Sequence, residues 1–211
     1  MDKETIDAYN REAESIARLH STLTPLRIYE LIDQYFIKGE LTLDVGCGIG
    51  RDTHWLTQQG FLTTGIDVSE QMLKQAQSLY PSDNFFQDDL PDLNQLGVSQ
   101  FQNILCSAVL MHLSPIDLKT ACNRLLQLLN DKGCLVISFR GTHETGNREK
   151  GKLYETINID EFLNIFEENY CKVLIRESET ETSRNLTWHN FVIYKTPHLI
   201  NLIFSEFLLN N

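Results

Sequence analysis

The sequence predicts an α/β protein, with a mostly parallel sheet covered by helices on both faces and a helical segment ahead of it. Three observations predict it. From Leu41 to Phe139, short apolar runs alternate with amphipathic helical stretches. Glycine or proline stands at the end of most helical runs, as at Gly39, Gly60 and Pro81. A glycine-rich turn, Gly46-x-Gly48-x-Gly50, follows the first apolar run of the alternating region. Alternation at this pitch favours a parallel sheet, because each crossover helix must lie on one of its faces.

The elements follow in order. Ile6, Tyr9, Ala13, Ile16 and Ala17 recur at helical spacing, and Pro25 opens a second helical run through Tyr29, Leu31, Ile32 and Phe36. Leu41–Val45 is a strand, Arg51–Gln59 a helix, and Leu62–Ile66 a strand. Ser69 caps the next helix, which Pro81 ends. Asn84–Phe86 and Asn103–Ser107 are strands. Ser114-Pro115-Ile116-Asp117 starts a helix with a capping serine, a proline at the first position and an acid three after the cap. That helix ends near Asn130, and Cys134–Phe139 is a strand. Ile159–Asn169 is a helix, and Lys172–Ile175 and Trp188–Lys195 are two strands joined by an acidic linker, an antiparallel pair at the sheet edge. Residues 197–211 read as an amphipathic helix. The division expected is one domain over 1–211, with a helical lid (1–38), a core (39–196) and that C-terminal helix (197–211).

Composition narrows the function. With 42% apolar residues the chain can build a sizeable core, and no apolar run approaches the ~18 residues that span a bilayer. Met1-Asp2-Lys3-Glu4 does not read as a signal peptide, so a soluble cytoplasmic protein is expected. Five cysteines (47, 106, 122, 134 and 171) form no C-x-x-C pair and read as buried reduced thiols; no metal site is expected. The net charge of −11 and the lack of a basic stripe argue against nucleic acid as partner and suit a neutral or cationic small molecule.

The glycine turn carries the chemistry. Glycine permits positive φ and brings backbone N–H groups up to a ligand at the strand's carboxyl end. The dinucleotide fingerprint G-x-G-x-x-G would place its third glycine at position 51, where this chain has Arg51; the third glycine is Gly50. That spacing disfavours a pyrophosphate cradle and suits an adenosine joined to an amino acid. Asp67 ends the second strand, where a carboxylate accepts hydrogen bonds from both hydroxyls of a ribose. Asp88-Asp89 end the third, flanked by the apolar Phe86 and Leu90 that suit an adenine.

L-D-V-G-C-G-I-G-R-D, G-I-D-V-S-E-Q-M-L and F-Q-N-I-L-C-S-A-V-L-M-H-L resemble motifs of class I S-adenosylmethionine-dependent methyltransferases, most closely the bacterial small-molecule type. The resemblance covers Leu41 to Phe139. It implies a Rossmann-like, doubly wound sheet of seven strands, mostly parallel with an antiparallel edge strand. It implies S-adenosylmethionine as cofactor and a small-molecule acceptor methylated on N, O or S. Carried over by position, Asp44, Gly46, Gly48 and Gly50 line the methionine end, with Cys47 a further cofactor contact and Arg51 a candidate to hold the cofactor carboxylate. Asp67 holds the ribose, Val68 flanks the adenine, and Asp89 with Leu90 binds its edge. The Cys106 backbone approaches the sulfonium. Phe101-Gln102 stands where the family commonly has Phe-Asp, at a surface turn.

Each of these residues also has a plainer reading. Asp44 can brace the loop, and Arg51 can pair with Asp52. Tyr9 and Arg18 on the first helix can close over the cofactor or simply pack. Asp88 and Asp89 compete for one role, with Asp89 favoured. His112 lies beside the expected transfer centre as a candidate general base or a pocket-shaping residue. Arg140, His143 and Glu144 are candidate substrate contacts in a glycine-containing, flexible-looking loop. Trp188 and His189 face the substrate or pack. The competing functions are a methyltransferase acting on RNA or protein and a non-catalytic S-adenosylmethionine-binding module. A monomer or a homodimer is expected.

Overall fold

A computed structural model describes residues 1–142, 145–181 and 186–197. Two helices come first, α1 (Lys3–His20) and α2 (Leu26–Tyr35). The alternating region then runs β1 (Leu41–Val45), α3 (Arg51–Gln58), β2 (Leu62–Asp67), α4 (Glu70–Leu79), β3 (Asn84–Gln87), β4 (Phe101–Ser107), α5 (Pro115–Leu128) and β5 (Leu129–Arg140). After it come β6 (Asn147–Glu149), β7 (Lys152–Tyr154), α6 (Ile159–Glu168), β8 (Cys171–Glu181) and β9 (Leu186–Lys195). The caps are where the sequence puts them: Ser69 and Ser114 each accept the backbone N–H three residues on, from Met72 and Asp117.

Seven strands form one sheet in the order β3-β2-β1-β4-β5-β9-β8. The first five are parallel, and β9 runs antiparallel between β5 and the outermost strand β8. The order reverses direction between β1 and β4, so the carboxyl ends of these two strands open the crevice in which such sheets take ligands. One face of the sheet is sealed by α5 and α6, whose Leu125, Phe162 and Phe166 are buried with Ile104, Ile137 and Phe191. The other is sealed by α2 and α3, through Ile28, Leu31, Ile32 and Leu56 packed with Leu105, Val136 and Val192. In a third cluster, Ala13, Ile16 and Ala17 of α1 pack on Ile49 and Met72 above the glycine turn. All five cysteines are free and buried.

Two segments depart from the sequence reading. The stretch taken as an acidic linker is strand: β8 continues to Glu181, paired along β9 as far as Leu186. Its charges alternate with Ser178 and Thr180, and Arg27 of α2 meets Glu177 through two hydrogen bonds of 2.7 and 2.8 Å. Charge masked an alternation that the neighbouring strand and helix supply with partners. The loop after β5 contains a hairpin in which β6 pairs antiparallel with β7. Lys150 and Gly151 make its two-residue turn with φ of 53° and 90°, the double positive φ that matches strand twist. A lysine there hides the signal. The expected C-terminal helix lies, from residue 198 on, outside the described residues.

Candidate active site

At the carboxyl ends of β1 and β4 lies a cavity of ≈ 840 Å³, walled by the glycine turn, the loops after β2 to β5, the ends of β8 and β9, and by α1 and α2. Its volume falls in the range of small-molecule and cofactor sites. Gly46, Gly48 and Gly50 have φ of 70°, 56° and 77°, a conformation that side chains strain against. A Cβ on Gly46 would overlap Val109, so that turn is pressed against the loop after β4.

Asp67 is the hinge of the wall. One carboxylate oxygen accepts the Gly48 N–H at 2.9 Å and the other accepts the Ser69 N–H at 2.8 Å. Burial holds its pKa above the usual carboxylate value, against the pull of those N–H groups. The Val68 N–H also pulls on the carboxylate, whose roughly four acceptor positions still leave room for a further donor. Asp88 spends its carboxylate on the backbone N–H groups of Asp89 and Gln95. The side chain of Asp89 is half-exposed at the cavity mouth, 3.9 Å from the Met1 amino group. Of the two, only Asp89 has its carboxylate turned away from the backbone.

The structure gathers Tyr9, Gly46, Cys47, Gly48, Arg51, Asp67, Val68, Asp89, Leu90, His112 and Arg140 on one wall system. Three of the residues carried over from the family fall outside it. Asp44 is 2% exposed beneath the turn and accepts the Thr53 hydroxyl at 2.6 Å, so it braces the loop. Gly50 backs onto Phe85 and Ala76 and is needed for packing. Cys106 lies in the core, and Ser107 and Ala108 form the wall in its place. Arg51 is bound by its neighbour Asp52 through two hydrogen bonds of 2.8 Å, and Asp52 also accepts the Tyr29 hydroxyl. Arg18 pairs with Glu14 on the exposed side of α1, away from the cavity. Trp188 lines the cavity, whereas His189 turns to Ser178 and Phe139. His143 and Glu144 lie outside the described residues.

His112 is 2% exposed. Its Nδ1 lies 2.5 Å from the Leu153 carbonyl and its Nε2 2.9 Å from the Tyr9 hydroxyl. Burial, with Lys152 and Arg140 nearby, pushes its pKa down to about 4. Both ring nitrogens are engaged, so the structure gives the reading of His112 as a direct base no free nitrogen to work with. Arg140 leaves β5, lies over the Tyr154 ring at 4.1 Å and is bound by Glu149. Tyr154, Ser138 and Asn190 are wall residues that sequence reasoning passed over. The first arrives on the hairpin whose turn signal the lysine hides; nothing local signals the other two, which face the cavity because β5 and β9 pair.

Sheet order, glycine turn and strand-end acid are the features that the resemblance to class I S-adenosylmethionine-dependent methyltransferases leads one to expect. Residues 42–133 match the family described as a methyltransferase domain. The chain is 31% identical over 124 residues to a ubiquinone biosynthesis O-methyltransferase of Pseudomonas syringae pv. tomato, covering 56% of this chain and 53% of that protein. It is also 31% identical over 109 residues to a magnesium-protoporphyrin O-methyltransferase of Synechocystis, covering 49% of this chain and 45% of that one. The chain thus spans about half the length of the curated relatives it matches. Among solved structures, the 1,6-didemethyltoxoflavin-N1-methyltransferase of Burkholderia thailandensis, with 1,6-didemethyltoxoflavin and S-adenosylhomocysteine bound, is similar at a TM-score of 0.73. It is 18% identical, with 92% of this chain and 88% of that chain covered.

Proposed function

We propose that the chain transfers the methyl group of S-adenosylmethionine to a small-molecule acceptor. The observation that carries this reading is the position of Asp67, tying the glycine turn to the start of α4 while its remaining lone pairs serve the cavity. In this reading Asp67 takes the ribose hydroxyls, Val68, Asp89 and Leu90 take the adenine, and Gly46 to Gly48 face the amino-acid end. When bound, the cofactor would supply a methyl activated by its sulfonium sulfur, which takes the C–S pair as the acceptor lone pair bonds to the methyl carbon. The protein aligns the two and excludes water.

In this reading the acceptor sits against Trp188, Asn190, Ser138 and Arg140, which line the same cavity as Leu23 to Pro25 of the α1–α2 connection. Arg27, Arg51 and Arg140 on the wall are each bound by a carboxylate, which favours a small acceptor over a polyanion. No helix among the described residues is long and apolar enough to cross a membrane. Free, buried cysteines agree with a reducing compartment, the cytoplasm in this reading.

Calorimetry tests the cofactor. Wild-type protein should bind S-adenosylhomocysteine, and Asp67→Ala should weaken binding by about 1–3 kcal/mol, the order of lost hydrogen bonds to a charged group. Wild-type protein that does not bind it would refute the proposal. A metabolite screen with labelled cofactor then finds the acceptor.

A further inference from the structure

The contact between Tyr9 and His112 has a direction that follows from a backbone oxygen. The Leu153 carbonyl carries no hydrogen, so at 2.5 Å from it the His112 Nδ1 must be the protonated nitrogen. The groups facing the ring are Tyr9 from α1, Tyr154 and Lys152 from β7, Arg140 from β5, and Asp2 ahead of α1. Two of them are cations, and the ring is buried, so the imidazole is neutral and its Nε2 is bare. The Tyr9 hydroxyl therefore donates its hydrogen to Nε2 across 2.9 Å. What it has left is lone pairs. Tyr9 stands on the cavity wall, within electrostatic reach of both Asp67 and Arg140.

We propose that Tyr9 is a hydrogen-bond acceptor toward the cavity, held so by His112 and the hairpin carbonyl, and that it selects primary or secondary amines as methyl acceptors. This rests on the methyltransferase reading. An attacking nitrogen with an N–H can give that hydrogen to Tyr9, which fixes the direction of its lone pair. A thiolate, a phenolate or a tertiary amine would meet lone pair with lone pair. A neutral alcohol would need a base during the step, and the Nε2 of His112 is already occupied. An amine that has given up its ammonium proton to water before it binds needs none during the step: the N–C bond forms, the C–S pair goes to sulfur, and the methylated ammonium releases its proton to water. His112 is thus a positioning residue acting through Tyr9.

The test uses two ligands and one spectrum. Sinefungin carries an amine where S-adenosylmethionine carries its methylsulfonium, so it brings an N–H donor to the transfer position, whereas S-adenosylhomocysteine brings none. Tyr9→Phe should lose about tenfold in sinefungin affinity and change less than twofold for S-adenosylhomocysteine. A parallel fall for both ligands, or none for sinefungin, overturns the role of Tyr9 and leaves the cofactor reading standing. Wild-type protein that binds neither overturns both. Independently of any ligand, nitrogen-15 spectra of the imidazoles should show His112 as the neutral Nδ1–H tautomer at pH 7. An Nε2–H tautomer or an imidazolium there overturns the proposal. In a labelled-methyl assay the acceptors found should be amines; turnover confined to hydroxyl or thiol compounds overturns it as well.

Discussion

Gly50→Ala should cost the fold about 2–5 kcal/mol, read as a lower midpoint in urea at unchanged slope. Two terms add. At φ 77° an alanine strains by about 1–2 kcal/mol. Its Cβ would also stand 2.5 Å from Phe85 Cζ and 3.0 Å from Ala76 Cβ, an overpacking worth about 1–3 kcal/mol. Only the second term depends on the ring, so Gly50→Ala with Phe85→Leu should lose less than the sum of the two single variants. Strict additivity would mean that the ring is not what presses on Gly50. The effect is on stability first, because Gly50 faces β3 and α4 and not the cavity.

Asp44→Asn should stabilise the protein at pH 8, by a few kcal/mol at the upper limit. Burial, helped by the nearby Asp52 charge, raises the Asp44 pKa from 3.8 to about 7. A carboxyl raised in this way binds a proton more readily folded than unfolded. Its contribution is fully present below pH 3.8 and is lost as pH rises through about 7. The amide keeps an acceptor for Thr53 and carries no charge. The variant should therefore lack the decline from pH 4 to 7 that this group imposes. His112 works with the opposite sign in an overlapping window: its pKa is lowered from 6.5 to about 4, so its contribution is lost as pH falls. The measurement is accordingly the difference between variant and wild-type melting curves at each pH. A variant no more stable at pH 8 than wild type would mean that the Asp44 charge is solvated or compensated.

What the sequence revealed and what it hid divide along a physical line. Every element from α1 to β5 was legible, because serine caps, proline stops and apolar periodicity are local. So was the clustering of Gly48, Asp67 and Asp89, since successive parallel strands deliver their ends to one edge. Roles were less legible than positions. Asp44 and Gly50 sit in the motif, yet one braces the loop from below and the other packs against Phe85. The cavity wall formed by β5, β7 and β9 was the least legible part. Ser138 and Asn190 meet only because β9 inserts beside β5, and Tyr154 arrives on a hairpin whose turn uses a lysine at positive φ.

Leu153 has one more consequence. Its N–H donates to the Thr5 hydroxyl of α1 while its carbonyl receives His112, so a single residue is gripped by the first helix on one side and the cavity histidine on the other. Lys152 beside it binds Glu12 at 2.5 Å, and Arg148 across the hairpin binds Asp2. Lifting α1 frees that amide to trade its hydrogen with solvent. If α1 acts as the expected lid, deuterium uptake at this one backbone position reports how often it lifts, and a ligand that holds α1 down should slow the uptake.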